Sequence, residues 1–302
     1  MSLLDIAQQI TIYGGFFLLI TGVIGNGINV LVFASVRSYR TTPCTFYYLI
    51  GSFDNIFYLI INCIPRIIIE GYGIDLTNTS ISWCKIRQFC LATFAVIASS
   101  CSCLATIDQF FVTSRNANLR RLSNIKWAHR ITLIMIIAWC LHSITVFIFF
   151  NISSITNTCV ITNAGFYIYA PIYLLVINCA IPVIIMVIFG YLAYRNIHST
   201  RALAEQQADR QLTQMILYQV ILVVISIVPY GIAFAYNVIT SRISKDANRL
   251  IIEDFVLAFS ILLWYLHYSG NFYMFWISSS RFRRVTKDRI LFWRRHDQIN
   301  PT

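Results

Sequence analysis

The sequence predicts an all-α integral membrane protein: a bundle of seven transmembrane helices followed by a short amphipathic C-terminal helix. Three observations predict it. The 302 residues are 58% apolar and 12% charged, about half the roughly 25% charged share of soluble domains. The charge-free runs provide seven segments of the about 20 residues that a helix needs to cross the hydrocarbon. Lys and Arg then fall mostly on one side of those crossings.

Span 1, residues 8–36, lies in Ile6–Val36, a run without a formal charge. Its length and its lack of a basic start predict a retained span rather than a cleaved leader. Span 2, 43–69, carries one charge before Arg66, Asp54. Span 3, 84–113, contains the charge-free run Gln88–Ile107 and then Asp108. Ile131–Tyr194 is too long for one span and has a polar middle, Asn151–Gly165. It reads as two spans, 130–150 and 166–194. Spans 6 and 7 follow at 211–240 and 254–277. A surface helix is expected over 279–295. There Phe282, Val285, Phe292 and Trp293 share one side, with Arg283, Arg284, Lys287, Arg294 and Arg295 largely opposite. That pattern suits a membrane interface; Arg289, on the apolar side, would need to snorkel. Strand-length alternation is absent, which argues against a β-barrel. No repeat or second domain is visible, so residues 1–302 read as one domain.

With an external N-terminus, the cytoplasmic segments hold most of the 23 Lys and Arg residues. That asymmetry is the positive-inside rule. The net charge of +11 therefore points to anionic membrane lipid and a cytoplasmic partner, not to nucleic acid. Two glycosylation sequons, at Asn78 and Asn151, both fall outside in this topology. Seven of the nine cysteines lie in or beside spans and read as small apolar filler. Cys84 and Cys159 both lie on the external side, where oxidation permits a disulfide; two unrelated thiols is the other reading.

The chain resembles the rhodopsin-like (class A) G-protein-coupled receptors over roughly residues 10–295, in the style of invertebrate orphan or neuropeptide-type members. Span 1 has "GNGINVLVF", with Gly25-Asn26 like the family's Gly-Asn pair. Cys84 precedes Gln109 by the family's spacing from its disulfide cysteine to the arginine of Asp-Arg-Tyr. Trp139 matches the tryptophan of span 4, and Pro182 and Pro229 match the kinking prolines of spans 5 and 6. "NFYMF", Asn271–Phe275, stands where the family has Asn-Pro-x-x-Tyr. The resemblance implies a Cys84–Cys159 disulfide, an extracellular ligand and a heterotrimeric G protein as partner. The surface helix would be the family's eighth.

The family motifs are altered. Asp108 is the acid of Asp-Arg-Tyr, but Gln109 replaces the arginine and Phe110 the tyrosine. Glutamine has no charge and no planar fork of donors, so Asp108 is expected to find Arg115 or another basic loop residue. Cys-Trp-x-Pro of span 6 is Ser226-Ile227-Val228-Pro229, which removes the aromatic switch. Phe272 replaces the span-7 proline, removing the usual cause of a kink, and Phe275 replaces the tyrosine. In span 2, Asp54 and Asn55 compete for the family's buried polar position, with Asn26 and Asn271 as neighbours. Adjacent helical residues point about 100° apart, so one is expected to face the bundle centre. Asp54 is favoured, because an acid facing lipid costs more than an amide.

By the resemblance, Leu91 occupies the position of the amine receptors' aspartate, and Tyr265 that of the opsins' lysine. Both an amine ligand and a retinal cofactor are therefore unexpected, and no other cofactor or metal is implied. Ligand candidates at the external mouth are Arg66, Glu70, Leu91, Tyr236, Glu253, Asp254, Trp264 and Tyr265, a set suited to a peptide. No catalytic constellation is evident, and the five histidines are scattered. The expectation is a plasma-membrane receptor that is not an enzyme. The alternatives are a seven-helix transporter or channel, or a receptor-like protein that binds ligand without coupling. No duplicated halves favour the transporter.

Overall fold

The computed structural model describes residues 3–74, 80–153, 158–199, 207–241 and 243–299. Asn78 lies outside them. Among the described residues, seven helices are long and apolar enough to cross a membrane. They are span 1 Leu3–Ser35, span 2 Pro43–Gly71, span 3 Ile81–Thr113, span 4 Ile125–Phe149, span 5 Ala164–His198, span 6 Gln211–Thr240 and span 7 Ala247–Ser269. Several helices outrun the apolar stretches, because hydropathy marks the membrane and not the end of the hydrogen-bond ladder. Span 7 is shorter at its far end than expected, breaking at Gly270.

Helix starts follow local chemistry. Asn124 and Asn163 cap spans 4 and 5, their Oδ1 atoms accepting from Lys126 N and Phe166 N at 2.9 Å. Pro43, with no N–H to satisfy, opens span 2. Spans 2 and 5 each contain wide π-type turns: Leu59–Cys63 and Ile67–Gly71 in span 2, and Leu174–Ala180 in span 5. Pro65 lies between the first two, and Pro171 and Pro182 bracket the third. A proline has no N–H to donate, so the ladder recloses one residue later.

Span 3 is the axis of the bundle, with 61% of its membrane window buried against 17% for span 4. It packs on spans 2, 4 and 5, and span 1 packs on spans 2 and 7. Spans 1, 2 and 7 approach closely at Gly22. A Cβ there would lie 2.5 Å from Leu59 Cδ1 and 2.6 Å from Ser269 Cβ, so only glycine lets the helices meet.

A two-stranded hairpin connects spans 4 and 5. β1 (Phe150–Ile152) pairs antiparallel with β2 (Cys159–Ile161), with Asn151 opposite Val160. The half-buried Asn151 accepts a bond from Ile152 N at 2.9 Å. This side of the bundle is called the hairpin end; the opposite side, where most Lys and Arg lie, is the basic end.

Two apolar clusters fill the interior. One, under the hairpin end, includes Tyr58, Leu59, Ile227, Trp264, Tyr265 and Tyr268. The other, near the basic end, includes Phe33, Tyr39, Tyr48, Phe275 and Phe282. Phe282, from the surface helix Ser280–Ile299, sits 5.7 Å from Phe33 and 5.9 Å from Phe275 between ring centroids. That anchors the surface helix to the bundle by its first turn. Arg289 does not lie stranded on the apolar side: its Nη2 reaches the Ser35 carbonyl at 3.5 Å, at the end of span 1. The side chains of Phe292 to Arg295 lie outside the described set.

Candidate ligand cavity and helix ties

A cavity of about 420 Å³ opens under the hairpin, within the 300–1,000 Å³ range typical of small-molecule sites. Spans 2 to 7 all contribute to it. Phe150 of β1 forms part of its wall. The hairpin is held over it by a disulfide between Cys84, in the first turn of span 3, and Cys159 in β2, with Cα atoms 5.8 Å apart.

Four of the expected ligand residues line this cavity: Arg66, Leu91, Trp264 and Tyr265. The other four do not. Tyr236 and Glu253 form a separate knot at the rim between spans 6 and 7. Tyr236 Oη donates to Glu253 Oε1 at 3.1 Å, Arg249 Nε donates to the same carboxylate at 2.8 Å, and Lys245 pairs with it as well. Their charges are satisfied by one another. Asp254 is exposed one residue further round the helix. Glu70 is exposed and pairs loosely with Arg66, at 3.7 Å.

The floor of the cavity is aromatic and hydrogen-bonded. Trp264 Nε1 donates to Tyr58 Oη at 2.7 Å, and Asn62 Nδ2 donates to the same oxygen at 2.8 Å. Tyr58 stacks on Tyr268 with centroids 3.8 Å apart, and Tyr230 sits 4.6 Å from Trp264. Ile227 is buried in the same cluster. The aromatic bulk beside Ile227 in this cluster includes Trp264 from span 7. Tyr58, Asn62, His142, Tyr173 and Tyr230 were not singled out from sequence. In a single sequence they look like any span-borne aromatic or amide, and only packing selects them.

The polar centre lies below this floor. Asn26 Nδ2 donates to Gly22 O at 2.8 Å and to Tyr268 O at 2.9 Å, and its Oδ1 accepts from Asn55 Nδ2 at 3.2 Å. One side chain therefore ties spans 1, 2 and 7. The expectation that Asp54 alone would face inward is corrected: Asp54 and Asn55 are 4% and 2% exposed. Asn55 faces Asn26 and shares a small gap with Asn271 and Gln219. Asp54 is turned toward the span-3 backbone at Ala98. Span 2 is enclosed widely enough at this level for two neighbouring positions to be buried.

At the basic end, Gln109 is 1% exposed. Its Nε2 donates to Thr213 Oγ1 on span 6 at 2.9 Å. Two turns of span 3 away toward the hairpin end, Gln219 Nε2 donates to Ser102 Oγ, also at 2.9 Å. Spans 3 and 6 are thus tied by two neutral bonds. Gln211 continues the series, accepting from Ser279 Oγ and Arg281 N at 3.1 Å. Asp108 is buried, and its carboxylate meets the Ser123 side chain and the Cys44 backbone in place of the expected Arg115. Asp108 is thereby tied to span 2 and to the loop before span 4. Phe110 packs against Phe189 of span 5 at 5.4 Å. Arg281 covers the Tyr39 ring at 5.4 Å; burial lifts the Tyr39 phenol above its usual pKa and that guanidinium opposes the rise.

Span 7 breaks without a proline. The helix stops at Ser269, and Asn271–Ser278 resumes as a short helix. Gly270 sits at the junction, where a Cβ would lie 2.8 Å from the Leu266 carbonyl oxygen. Phe272 and Phe275 then pack inward. Pro229 of span 6 lines an outward groove between spans 6 and 7.

No family model matches this chain, and no curated protein matches it either.

Proposed function

We propose that this protein is a plasma-membrane receptor of the rhodopsin-like kind, with the hairpin end extracellular and the basic end and C-terminus cytoplasmic. It binds an extracellular ligand, with a peptide favoured, in the cavity under the hairpin. It signals to a heterotrimeric G protein by a shift between two arrangements of the bundle. In this reading it is not an enzyme and needs no cofactor. The observation that carries the proposal is the series of helix-to-helix ties spaced from cavity floor to basic end. Trp264 and Tyr58 meet the ligand space, Tyr268 joins them to Asn26 and Asn55, and Gln219 and Gln109 hold span 6 against span 3. A ligand that moves Trp264 changes the packing on which the span 3–span 6 ties depend.

The test is expression in cells with a ligand panel, reading nucleotide exchange on co-expressed G proteins alongside uptake of each labelled compound. Ligand-stimulated exchange without uptake supports the receptor. Uptake or ion flux without exchange refutes it in favour of a transporter or channel.

A further inference from the structure

We infer that the cavity recognises a carboxylate attached to an aromatic or aliphatic body, so that its ligand is an organic acid or the free C-terminus of a peptide. The inference rests on the receptor reading for its biological role, but its chemistry rests on the cavity alone.

Two guanidinium groups line the cavity, Arg66 from span 2 and Arg87 from span 3. Among the described residues no carboxylate lines it. Arg87 is 9% exposed, so its guanidinium is largely enclosed by the bundle, and charged side chains within a membrane span mark ligand pathways. Arg66 is held only by Glu70, an exposed carboxylate at 3.7 Å. Exposed pairs of this kind contribute little, so a ligand carboxylate competes with Glu70 on favourable terms. Arginine suits the task because its planar fork matches the two oxygens of a carboxylate.

The remaining wall fixes the other half of the ligand. Tyr58, Tyr173, Tyr230, Trp264 and Leu91 offer aromatic and apolar surface, with Asn62 and Asn178 as amide partners. Among the described residues that wall holds no carboxylate to neutralise a cationic ligand. The nearby acids Glu253 and Asp254 lie outside the cavity, and Glu253 is already engaged by Lys245 and Arg249. A ligand amine would find aromatic faces and amide oxygens there but no carboxylate among the described residues, and it would approach two guanidinium groups.

The experiment uses the full chain purified in detergent and reads thermal unfolding, so it is independent of any G protein. The probes are matched acid and amide pairs: indole-3-acetate with indole-3-acetamide, 4-phenylbutyrate with its amide, and N-acetyl dipeptides ending in Phe, Trp or Leu as free acids and as C-terminal amides. At least one acid should raise the unfolding temperature with an apparent Kd at least about tenfold tighter than its amide, the factor expected from one charge-assisted hydrogen bond. Arg66→Gln and Arg87→Gln should each remove that preference, and Arg66→Lys should restore part of it. Arg66 is the safer variant because its side chain reaches solvent. Preference for the dipeptide acids identifies a peptide C-terminus as the source; preference for the small acids identifies a free organic acid. Equal binding of acid and amide, retention of the preference in Arg66→Gln, or no shift by any acid at millimolar concentration would overturn the inference. An acid that binds but never stimulates nucleotide exchange leaves the inference standing and refutes the receptor reading instead.

Discussion

The two ends of span 3 solve opposite problems with opposite chemistry. At the hairpin end, the helix carries Arg87 into a cavity of about 420 Å³, roofed by a strand hairpin and a covalent link. At the basic end, where the receptors it resembles have an arginine, it carries Gln109, sealed against Thr213. In the proposed receptor, charge sits where a ligand would be selected and neutral bonds sit where helices would part. A neutral hydrogen bond contributes about 0.5–1.5 kcal/mol and one to a charged group about 1.5–3 kcal/mol. Two neutral ties therefore hold span 6 firmly enough to define a resting state. Under the proposed function, they would be weak enough for a ligand of modest differential affinity to shift the population.

The largest expected effect would break the hairpin end alone. Cys84→Ser or Cys159→Ser should lower stability by about 2–5 kcal/mol and remove ligand binding, with the double variant no worse than either single. Thermal unfolding and surface expression check it; single variants that behave like the parent would separate the hairpin from the cavity. Asn26→Leu should damage both ends together. It leaves the Asn55 amide buried without its partner, at a cost of about 1–3 kcal/mol, so unfolding temperature and signalling should fall in parallel.

Smaller changes sharpen the contrast. Thr213→Val removes the acceptor for Gln109 while keeping the side-chain shape. It should weaken the tie by about 0.5–1.5 kcal/mol and raise ligand-independent nucleotide exchange about two- to tenfold, with acid binding at the cavity little changed. A fall in basal exchange would show that the bond belongs to the active arrangement. Gln109→Arg puts a bulky cation where the structure holds a buried amide. Ligand-stimulated exchange, measured at equal surface expression, should rise if the G protein reads this position, and an unchanged response would show that it does not. The smallest effect is expected from Gln211→Ala, which frees only the junction of span 6 with the surface helix. A change in basal exchange of less than about threefold, under about 0.7 kcal/mol, is anticipated there.

The fold was open to reading because its cause is local. A run such as Ile6–Val36 states its own burial in lipid, and seven such runs with basic loops on one side leave little choice of architecture. The cavity was half legible. Arg66, Leu91, Trp264 and Tyr265 were picked from charge, aromaticity and position in the resemblance, whereas Tyr58 and Tyr230 required knowing which face of each span turns inward. Glu253 and Tyr236 lie outside this cavity, tied to Lys245 and Arg249; sequence shows charges but not their partners. The Gln109–Thr213 bond joins residues 104 positions apart, and no periodicity announces such a meeting. The break in span 7 was not expected, because Phe272 stands in place of the proline that would signal a kink by itself. Gly270 marks it, packed so closely against Leu222 and the Leu266 carbonyl that a Cβ would not fit.

The wide turns in spans 2 and 5 bear on how this chain can change its length. An insertion in a regular helix rotates everything beyond it by about 100°, which would swing a cavity wall into lipid. A π-type ring already contains one residue more than an α-type ring. Removing a residue from Leu174–Ala180 closes an ordinary turn while leaving the faces on either side pointing as before. The segments flanking the cavity are thus places where the gene can lose a codon and the helix keep its aim, so Arg66 and Tyr173 can be carried through changes of length that would scramble a straight span.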